Sequence, residues 1–339
     1  MTKPTKWKTQ REAFIESLSY LKGRQTGQIT SIKTPWSTFN DATTNGIEWH
    51  STTVIGARPA TGKTLIKSLL VNAAFNLNPL MNFRVLEFQF EMLGKNSAIR
   101  EFSTHIAKGY KYLCSADGKL SDEHFELCKA YAKDRLKYPI DIVEEACNVL
   151  EFKEIIEDYM KLYSTTIMER NAVTGKDEAK TVYKNTIITL DHSLLLENTP
   201  YGDDMSMLKA LGKTVTALKR KYPIAFIILS QLNRNIDAPE RNEDGKYGNF
   251  ILPSDIFGSD SLLQHADTLI GLNAPGKQKI NYYGVERYII GQDPEILAMH
   301  FLKCRNGETG VAFFRTRFKQ MAMDELPTPA RQERKVRTI

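Results

Sequence analysis

Short apolar segments alternate with longer amphipathic segments along most of the chain. The apolar segments are rich in β-branched and aromatic residues, as buried strands are. The clearest are residues 52–56, 84–90, 185–191 and 224–230. Apolar residues at helical spacing follow in residues 63–76, 97–108, 121–137, 150–163 and 205–222. This alternation predicts an α/β fold in which helices flank a mostly parallel, twisted sheet.

Two further segments lie within this region of the chain. Residues 164–184 show no apolar periodicity, and we expect a long surface loop there. Residues 296–303 and 310–318 lie on either side of Asn306-Gly307, a dipeptide typical of tight turns. They predict an antiparallel hairpin that closes the sheet at its edge.

The two ends of the chain differ from this core. Residues 7–22 predict an amphipathic helix with a capping box at Thr9 and Glu12, and its apolar stripe consists of Trp7, Phe14, Leu18 and Leu21. Residues 1–33 hold seven Lys or Arg against two Glu, so we interpret them as a basic linker. The helix must dock, on a neighbouring copy or back on this chain. Residues 34–323 form the predicted α/β domain, and residues 324–339 a basic disordered tail.

Composition excludes several classes of protein. Hydrophobic residues make up 42% and charged residues 25% of the 339 residues, which is ordinary globular usage. No apolar run is long enough to cross a bilayer, and no secretory pattern opens the chain, so we expect a cytoplasmic protein with no membrane partner. The four cysteines lack zinc-site spacing and are expected to be reduced thiols. The net charge of +6 permits a polyanionic partner.

A phosphate-binding loop stands between the first predicted strand and the first predicted helix of the domain. Its residues are Ala57, Arg58, Pro59, Ala60, Thr61, Gly62, Lys63 and Thr64. Backbone N–H groups of such a loop face an anion at a helix N-terminus. We expect Lys63 to meet the β and γ phosphates and the Thr64 hydroxyl to coordinate Mg²⁺. The predicted ligands are therefore a nucleoside triphosphate and magnesium.

Three other strand ends supply candidate polar groups. Asp191 ends an apolar strand, where a second metal ligand belongs. Glu91 stands at the end of the strand predicted at residues 84–90 and is our candidate general base. Glu87 lies inside that strand and is a weaker candidate. Gln231 is a candidate sensor of the γ-phosphate. We expect His192 to be a core histidine that donates to a backbone carbonyl, rather than a ligand.

The motifs, taken in order, resemble the RecA-like ATPase domain of DnaB-type replicative helicases, in a phage-like short form without the N-terminal collar domain. They are found at residues 56–64, 90–92, 190–192, 229–234, 259–267 and 303–307. This resemblance covers most of residues 34–318. It implies a hexameric, ATP-dependent ring that moves along single-stranded DNA from 5′ to 3′ and unwinds duplex DNA.

The resemblance also implies roles for particular residues. Lys303 and Arg305 match the segment whose cations reach the γ-phosphate bound by the adjacent subunit. The charged pair that family members present to DNA corresponds to Ile256 and Phe257 here, so those contacts do not carry over. The replacement candidates for DNA binding are Arg234, Arg241, Lys246, Gly258, Ser259, Asp260 and Ser261.

Two other functions fit the same motifs. A RecA-like recombinase shares the fold and the phosphate loop but forms open filaments and exchanges strands. A nucleotide-binding helicase loader or architectural subunit would keep the loop without turnover. Candidate partners implied by the resemblance are a primase, a loader or a separate collar protein. The location would be the cytoplasm, that of a bacterial host if a phage encodes the chain.

Overall fold

The structure, a computed structural model, describes residues 7–170, 177–241, 250–258, 264–284 and 286–327. Its strands are β1 (Ser51–Ala57), β2 (Phe83–Gln89), β3 (Ile140–Val143), β4 (Ser164–Arg170), β5 (Asp177–Tyr183), β6 (Asn185–Asp191), β7 (Ile224–Gln231), β8 (Thr268–Asn273), β9 (Tyr282–Tyr283), β10 (Tyr288–Ile289), β11 (Ile296–Cys304), β12 (Gly310–Arg317) and β13 (Ala322–Leu326). Its helices are α1 (Gln10–Gln25), α2 (Ser37–Ala42), α3 (Lys63–Leu77), α4 (Gly94–His105), α5 (Tyr110–Cys114), α6 (Asp122–Arg135), α7 (Val149–Leu162) and α8 (Asp204–Lys221).

A single large sheet organises the described residues. Its strand order is β13-β12-β11-β8-β1-β7-β6-β2-β3. Pairing is parallel from β8 through β1, β7, β6 and β2 to β3, and antiparallel where β11, β12 and β13 extend the sheet. Helices flank it, so the predicted α/β fold with a mostly parallel sheet is confirmed.

Apolar layers cover both faces of this sheet. Successive strand residues point to opposite faces, and β7 illustrates this with Phe226 and Ile227. Phe226 packs in the layer that contains Phe152 of α7. Ile227 packs in the layer that contains Ile66 and Leu70 of α3. The helix that follows the phosphate-binding loop is thereby fixed against the middle of the sheet.

The prediction of a long surface loop at residues 164–184 is wrong. β4 and β5 form an antiparallel hairpin there, paired from Ser164 with Tyr183 to Arg170 with Asp177. Nearly all of its side chains are exposed. Without a buried face, the hairpin has no reason to show the alternation of apolar and polar residues that marks a strand in a sequence.

The predicted domain limits also shift. β13 pairs with β12 as far as Leu326, so the predicted tail does not begin at residue 324, and the β11–β12 hairpin is not the sheet edge. Residues 328–339 of that tail lie outside the described residues. At the other end, Ile32 is 2% exposed and pairs with Ile47, so the core begins before residue 34.

Helix α1 spans Gln10–Gln25 rather than the predicted residues 7–22, so Trp7 precedes it, but the predicted capping box is present. Thr9 accepts from the Glu12 N–H and the Glu12 carboxylate accepts from the Thr9 N–H, which completes the capping box. The C-terminal end of the helix is held to the domain, because Arg24 lies 3.1 Å from Glu48. The apolar stripe on the helix itself, composed of Phe14, Leu18 and Leu21, is 60–67% exposed in a single chain.

The structure also describes the helix lengths, the cysteines and the possible metal-binding clusters on which the composition bears. Among the described residues, no helix combines the length and the apolar character needed to cross a bilayer. All four cysteines are unpaired thiols, as expected. Within the described part of the chain, no group of three or more His, Cys, Asp or Glu side chains is placed to hold a metal by itself.

Candidate nucleotide-binding site

The phosphate-binding loop turns tightly between the end of β1 and the start of α3. Ala60 and Gly62 have left-handed φ angles of 58° and 106°. A Cβ added at Gly62 would also lie 3.1 Å from Cε1 of Phe318. Glycine at position 62 avoids both the strain of this backbone angle and a tight contact with the Phe318 ring. The helix N-terminus directly behind it is suited to an anion.

Lys63 points back across this loop. Its Nζ donates to the Ala57 carbonyl oxygen at 3.3 Å. Burial lowers the pKa of Lys63, while the charges of Asp191 and Glu91 act in the opposite direction. A polyphosphate beside Lys63 would supply a further anion and favour its charged form.

Asp191 ends β6 next to the loop and is 6% exposed. Its carboxylate interacts with the Thr64 hydroxyl, and burial raises its pKa against the opposing charge of Lys67. Its Oδ1 atom is buried and has no hydrogen-bond partner in the described part of the chain. A carboxylate oxygen without a partner beside a hydroxyl is the oxygen-donor set that Mg²⁺ prefers. These residues therefore fit magnesium.

Glu91 and Gln231 lie at the mouth of the same site. Glu91 follows β2, and Gln231 ends β7 opposite Ala57 in the register. Together with Lys63 and Thr64 they line a cavity of about 980 Å³ that extends along α4. That volume is sufficient for a nucleotide. The structure thus brings together the loop, Glu91, Asp191 and Gln231.

His192 differs from its prediction. Its Nδ1 accepts from the Leu194 N–H at 3.2 Å, and its other partner is the Gln231 side chain rather than a backbone carbonyl. Burial and the charge of Lys63 lower the pKa of His192 to about 4. At neutral pH the ring is uncharged, and it contacts Gln231 at the cavity wall.

Distant residues that the sequence did not single out also reach the loop. Lys277 donates to the Ala60 carbonyl oxygen at 2.7 Å, and Phe318 lies against Gly62. Arg58, inside the loop, pairs with Asp237 at 2.8 Å. Only the folded chain brings these segments together, so no local pattern could have identified them.

Lys303 and Arg305 lie away from this cavity. Cys304 pairs with Thr268, and Thr268 pairs with Thr53 near the amino end of β1. The phosphate-binding loop follows the opposite end of that strand. Arg305 Nη1 is 3.0 Å from Asp267 Oδ1, on the same side as Thr268. The predicted cations therefore do not complete the site of their own chain.

The candidate DNA-binding residues are only partly described. Arg234 is exposed just after β7. Arg241 Nη1 and Nη2 contact the Asp255 carboxylate at 2.6 Å and 3.0 Å, so a phosphate would have to compete for this guanidinium. Gly258 is buried, with a φ of 65°. Lys246, Ser259, Asp260 and Ser261 lie outside the described residues.

Sequence comparison finds related proteins over most of the chain. The Replicative DNA helicase DnaB of Buchnera aphidicola subsp. Schizaphis graminum is 25% identical over 271 residues, which are 78% of this chain and 51% of that protein. The DNA helicase/primase of Enterobacteria phage T3 is 26% identical over 141 residues, 40% of this chain and 22% of that protein. The chain spans about half the length of the DnaB relatives it matches.

Solved structures share the fold. A DnaB-like replicative helicase, determined in a study of its interactions with primase, superposes with a TM-score of 0.68 at 18% identity, covering 88% of this chain and 64% of that one. A second structure, an ATPase domain, superposes with a TM-score of 0.69 at 17% identity, covering 92% of this chain and 98% of that one. The chain thus has the fold of these RecA-like ATPase domains. Because the family described as DnaB-like helicase C terminal domain matches residues 31–323, the chain belongs to that family.

Proposed function

We propose that this chain is an ATP-dependent replicative DNA helicase that acts as a hexameric ring, with a nucleotide at each boundary between copies. The separation of Arg305 from the phosphate-binding loop of its own chain carries this proposal. β1 has seven residues, and a strand rises about 3.3 Å per residue, so roughly 20 Å separate its two ends. Cations at one end can complete only the site of another copy.

Within one copy, each residue of the site has a distinct task. The backbone of residues 57–62 and the Lys63 ammonium bind the triphosphate. Thr64 and Asp191 hold Mg²⁺, which neutralises phosphate charge when it is bound. Glu91 accepts a proton from the water that attacks the γ-phosphate. Gln231 contacts the γ-phosphate and transmits its loss to the segment after β7.

The neighbouring copy supplies Lys303 and Arg305. Their charges stabilise the negative charge that develops on the transferred phosphoryl group. Since both come from a different copy, an isolated chain should bind nucleotide but hydrolyse it poorly. Hydrolysis then depends on assembly.

We infer that DNA lies against the segment after β7. Arg234 and the backbone at Gly258 are the described candidates, with Lys246, Ser259, Asp260 and Ser261 as further ones. Arg241 is a weaker candidate because Asp255 holds it. Contacts of this kind reach phosphates, so affinity should fall steeply with salt and depend little on base sequence. Movement from 5′ to 3′ rests on the resemblance to DnaB-type helicases.

The direct test measures ATP hydrolysis with and without single-stranded DNA, and strand displacement on a fork with a 5′ tail. The wild-type chain should show DNA-stimulated hydrolysis and displacement, and Glu91→Gln should bind ATP but lose both. Glu101→Gln is the matched control. Glu101 also lines the cavity, but its carboxylate accepts a hydrogen bond from the Tyr131 hydroxyl. Absence of DNA-stimulated hydrolysis at concentrations where wild-type rings form would rule out the motor.

The same assays separate the alternatives. A recombinase would form open filaments and would not displace the strand when protein is limiting. A loader or architectural subunit would bind nucleotide without turnover. The site retains Glu91, Asp191 and Gln231 beside the loop, which favours an enzyme over a subunit that only binds.

Partners remain part of the proposal. One structural relative was determined in a study of its interactions with primase, and a primase, a loader or a separate collar protein are the partners we propose. The expected location is the cytoplasm, that of a bacterial host if the chain is phage-encoded.

A further inference from the structure

A buried lysine lies beneath the metal carboxylate. Lys67 is one helical turn after Lys63 on α3, and its side chain is 2% exposed. Its Nζ lies 3.1 Å from Glu87 Oε2 and 3.8 Å from Asp191 Oδ2. Burying an ammonium group is costly unless anions compensate it. The two carboxylates supply that compensation.

The strand register explains why these groups meet. β2 and β6 are parallel neighbours in which Glu87 lies opposite Thr189 and Gln89 lies opposite Asp191. Glu87, Gln89 and Asp191 therefore point to one face of the sheet, the face covered by α3. Gln89 Nε2 donates to Glu87 Oε2. A continuous polar path thus runs from Gln89 through Glu87 and Lys67 to Asp191.

The two oxygens of the Asp191 carboxylate have different surroundings. Oδ2 faces Lys67. Oδ1 is buried and, within the described residues, has no hydrogen-bond partner. An ammonium group beside one oxygen favours one orientation of the carboxylate by charge attraction, so the second oxygen has a preferred direction. Hydrogen-bonding and charged partners behind metal ligands commonly act in this way.

We propose that Lys67 is a positioning residue for the metal carboxylate. It holds Oδ2 of Asp191 and leaves Oδ1 for Mg²⁺, and Glu87 keeps Lys67 in place. This inference rests on the proposed function of Asp191 as a magnesium ligand. It gives a task to Glu87, the acid that lies too far inside its strand to act as a general base.

The test compares a charge-balanced double variant, Lys67→Met with Glu87→Met, with the wild-type chain. Removing one positive and one negative charge leaves the net buried charge unchanged, and Asp191 keeps the favourable charge of Lys63, so the variant should fold. The matched control, Arg84→Met with Asp141→Asn, removes another ion pair of β2, one at 2.7 Å near the far end of the strand. Thermal unfolding gives stability, and titration of a fluorescent ATP analogue in EDTA and in Mg²⁺ gives the factor by which magnesium strengthens binding.

We expect the Lys67→Met, Glu87→Met variant to bind nucleotide in EDTA like the wild type but to lose about tenfold or more of the magnesium effect. The control should lose stability alone. A folded double variant with an undiminished magnesium effect would show that the ion pair is only structural. If the wild type itself gains nothing from Mg²⁺, the metal role of Asp191 is wrong and this inference fails with it. Magnesium-dependent nucleotide binding without strand displacement would instead contradict only the proposed helicase activity.

Discussion

Arg305 Nη1 lies 3.0 Å from Asp267 Oδ1 within one chain. Asp267 has other partners, because its Oδ2 accepts from Lys219 Nζ and from the Thr52 N–H. Arg305 is the exposed member of the group, with 57% of its side chain accessible. If Arg305 leaves Asp267 for the phosphate that we propose on a neighbouring copy, Asp267 remains neutralised by Lys219.

The first prediction concerns this arginine. Arg305→Ala should keep nucleotide binding but lower ATP hydrolysis about a thousandfold or more, because a cation supplied by a neighbour stabilises the transition state. Mixing it with Lys63→Ala protein should restore some hydrolysis, since hybrid boundaries combine an intact loop with an intact Arg305. Steady-state ATPase measurements across mixing ratios provide the test.

Arg315→Ala is the control for that experiment. Arg315 is an exposed arginine of β12 with an ion pair of 3.0 Å to Asp293. Its removal should leave hydrolysis near the wild-type rate. Mixtures of Arg305→Ala and Lys63→Ala that stay inactive at every ratio would contradict a site shared between copies.

The second prediction concerns the apolar stripe of α1. Replacing Phe14, Leu18 and Leu21 with Ser should shift the assembly toward smaller species, because a helix stripe this exposed is expected to dock on a neighbouring copy. Point substitutions are preferable to deleting residues 1–33, since Ile32 belongs to the core. Light scattering after size exclusion measures the change. Glu16→Ser, on the opposite side of the helix, is the control, and an unaltered ring in the triple variant would refute docking.

The third prediction concerns Gly62. Gly62→Ala should weaken nucleotide binding more than it weakens the fold, because a left-handed backbone costs an L-residue about 1–2 kcal/mol and the loop would open to relieve it. Titration with a fluorescent ATP analogue reports the affinity. Gly118→Ala also places an L-residue at a positive φ, 64°, but there an added Cβ meets nothing within 4 Å. Equal nucleotide affinity in both variants would show that the geometry at Gly62 is unimportant for binding.

The fourth prediction concerns pH. The Glu325 carboxylate accepts from the Ser37 and Thr38 N–H groups at 2.8 Å and 2.9 Å. Burial opposes its ionisation, but the hydrogen bonds from Thr38 and Ser37 outweigh burial and lower the pKa of Glu325. A lowered pKa stabilises the fold above the ordinary carboxyl range, and this stabilisation is lost as pH falls through the folded-state pKa.

Glu325→Gln should therefore lower the free energy of unfolding at pH 7 by about 1 kcal/mol, with a smaller difference in acid. Denaturant unfolding at pH 7 and below pH 4 measures both values. Asp324→Asn removes the neighbouring exposed carboxylate of β13 and should have a smaller effect. A difference for Glu325→Gln that is independent of pH would contradict the hydrogen-bonded carboxylate.

The sequence predicts best what local chemistry determines. The loop from Ala57 to Thr64 needs its residues in consecutive order, and Asp191 and Gln231 each end a strand that is largely apolar. Parallel strands place their carboxyl ends along one edge, so these groups could be expected to meet. In the structure these groups lie close together beside the loop, and their chemical roles stay predictions.

What the sequence did not predict depends on distant contacts. In the sequence, Lys67 resembles a solvent-facing lysine. In the structure, the β2–β6 register places Glu87 and Asp191 next to its ammonium group. The β4–β5 hairpin lacks a buried face, so its polar composition resembles that of a loop. β13 is a strand because its backbone pairs with the free edge of β12.

The two ends of the described core meet at the sheet margin. Trp36 Nε1 donates to the Met323 carbonyl oxygen at 3.1 Å, and Glu325 binds the start of α2. A short covalent linker could span this junction, so the core should tolerate circular permutation with new termini at Arg170 and Asp177, the exposed ends of β4 and β5. The nucleotide pocket would be preserved in such a rewired chain, because its residues lie on internal strands on either side of the new opening.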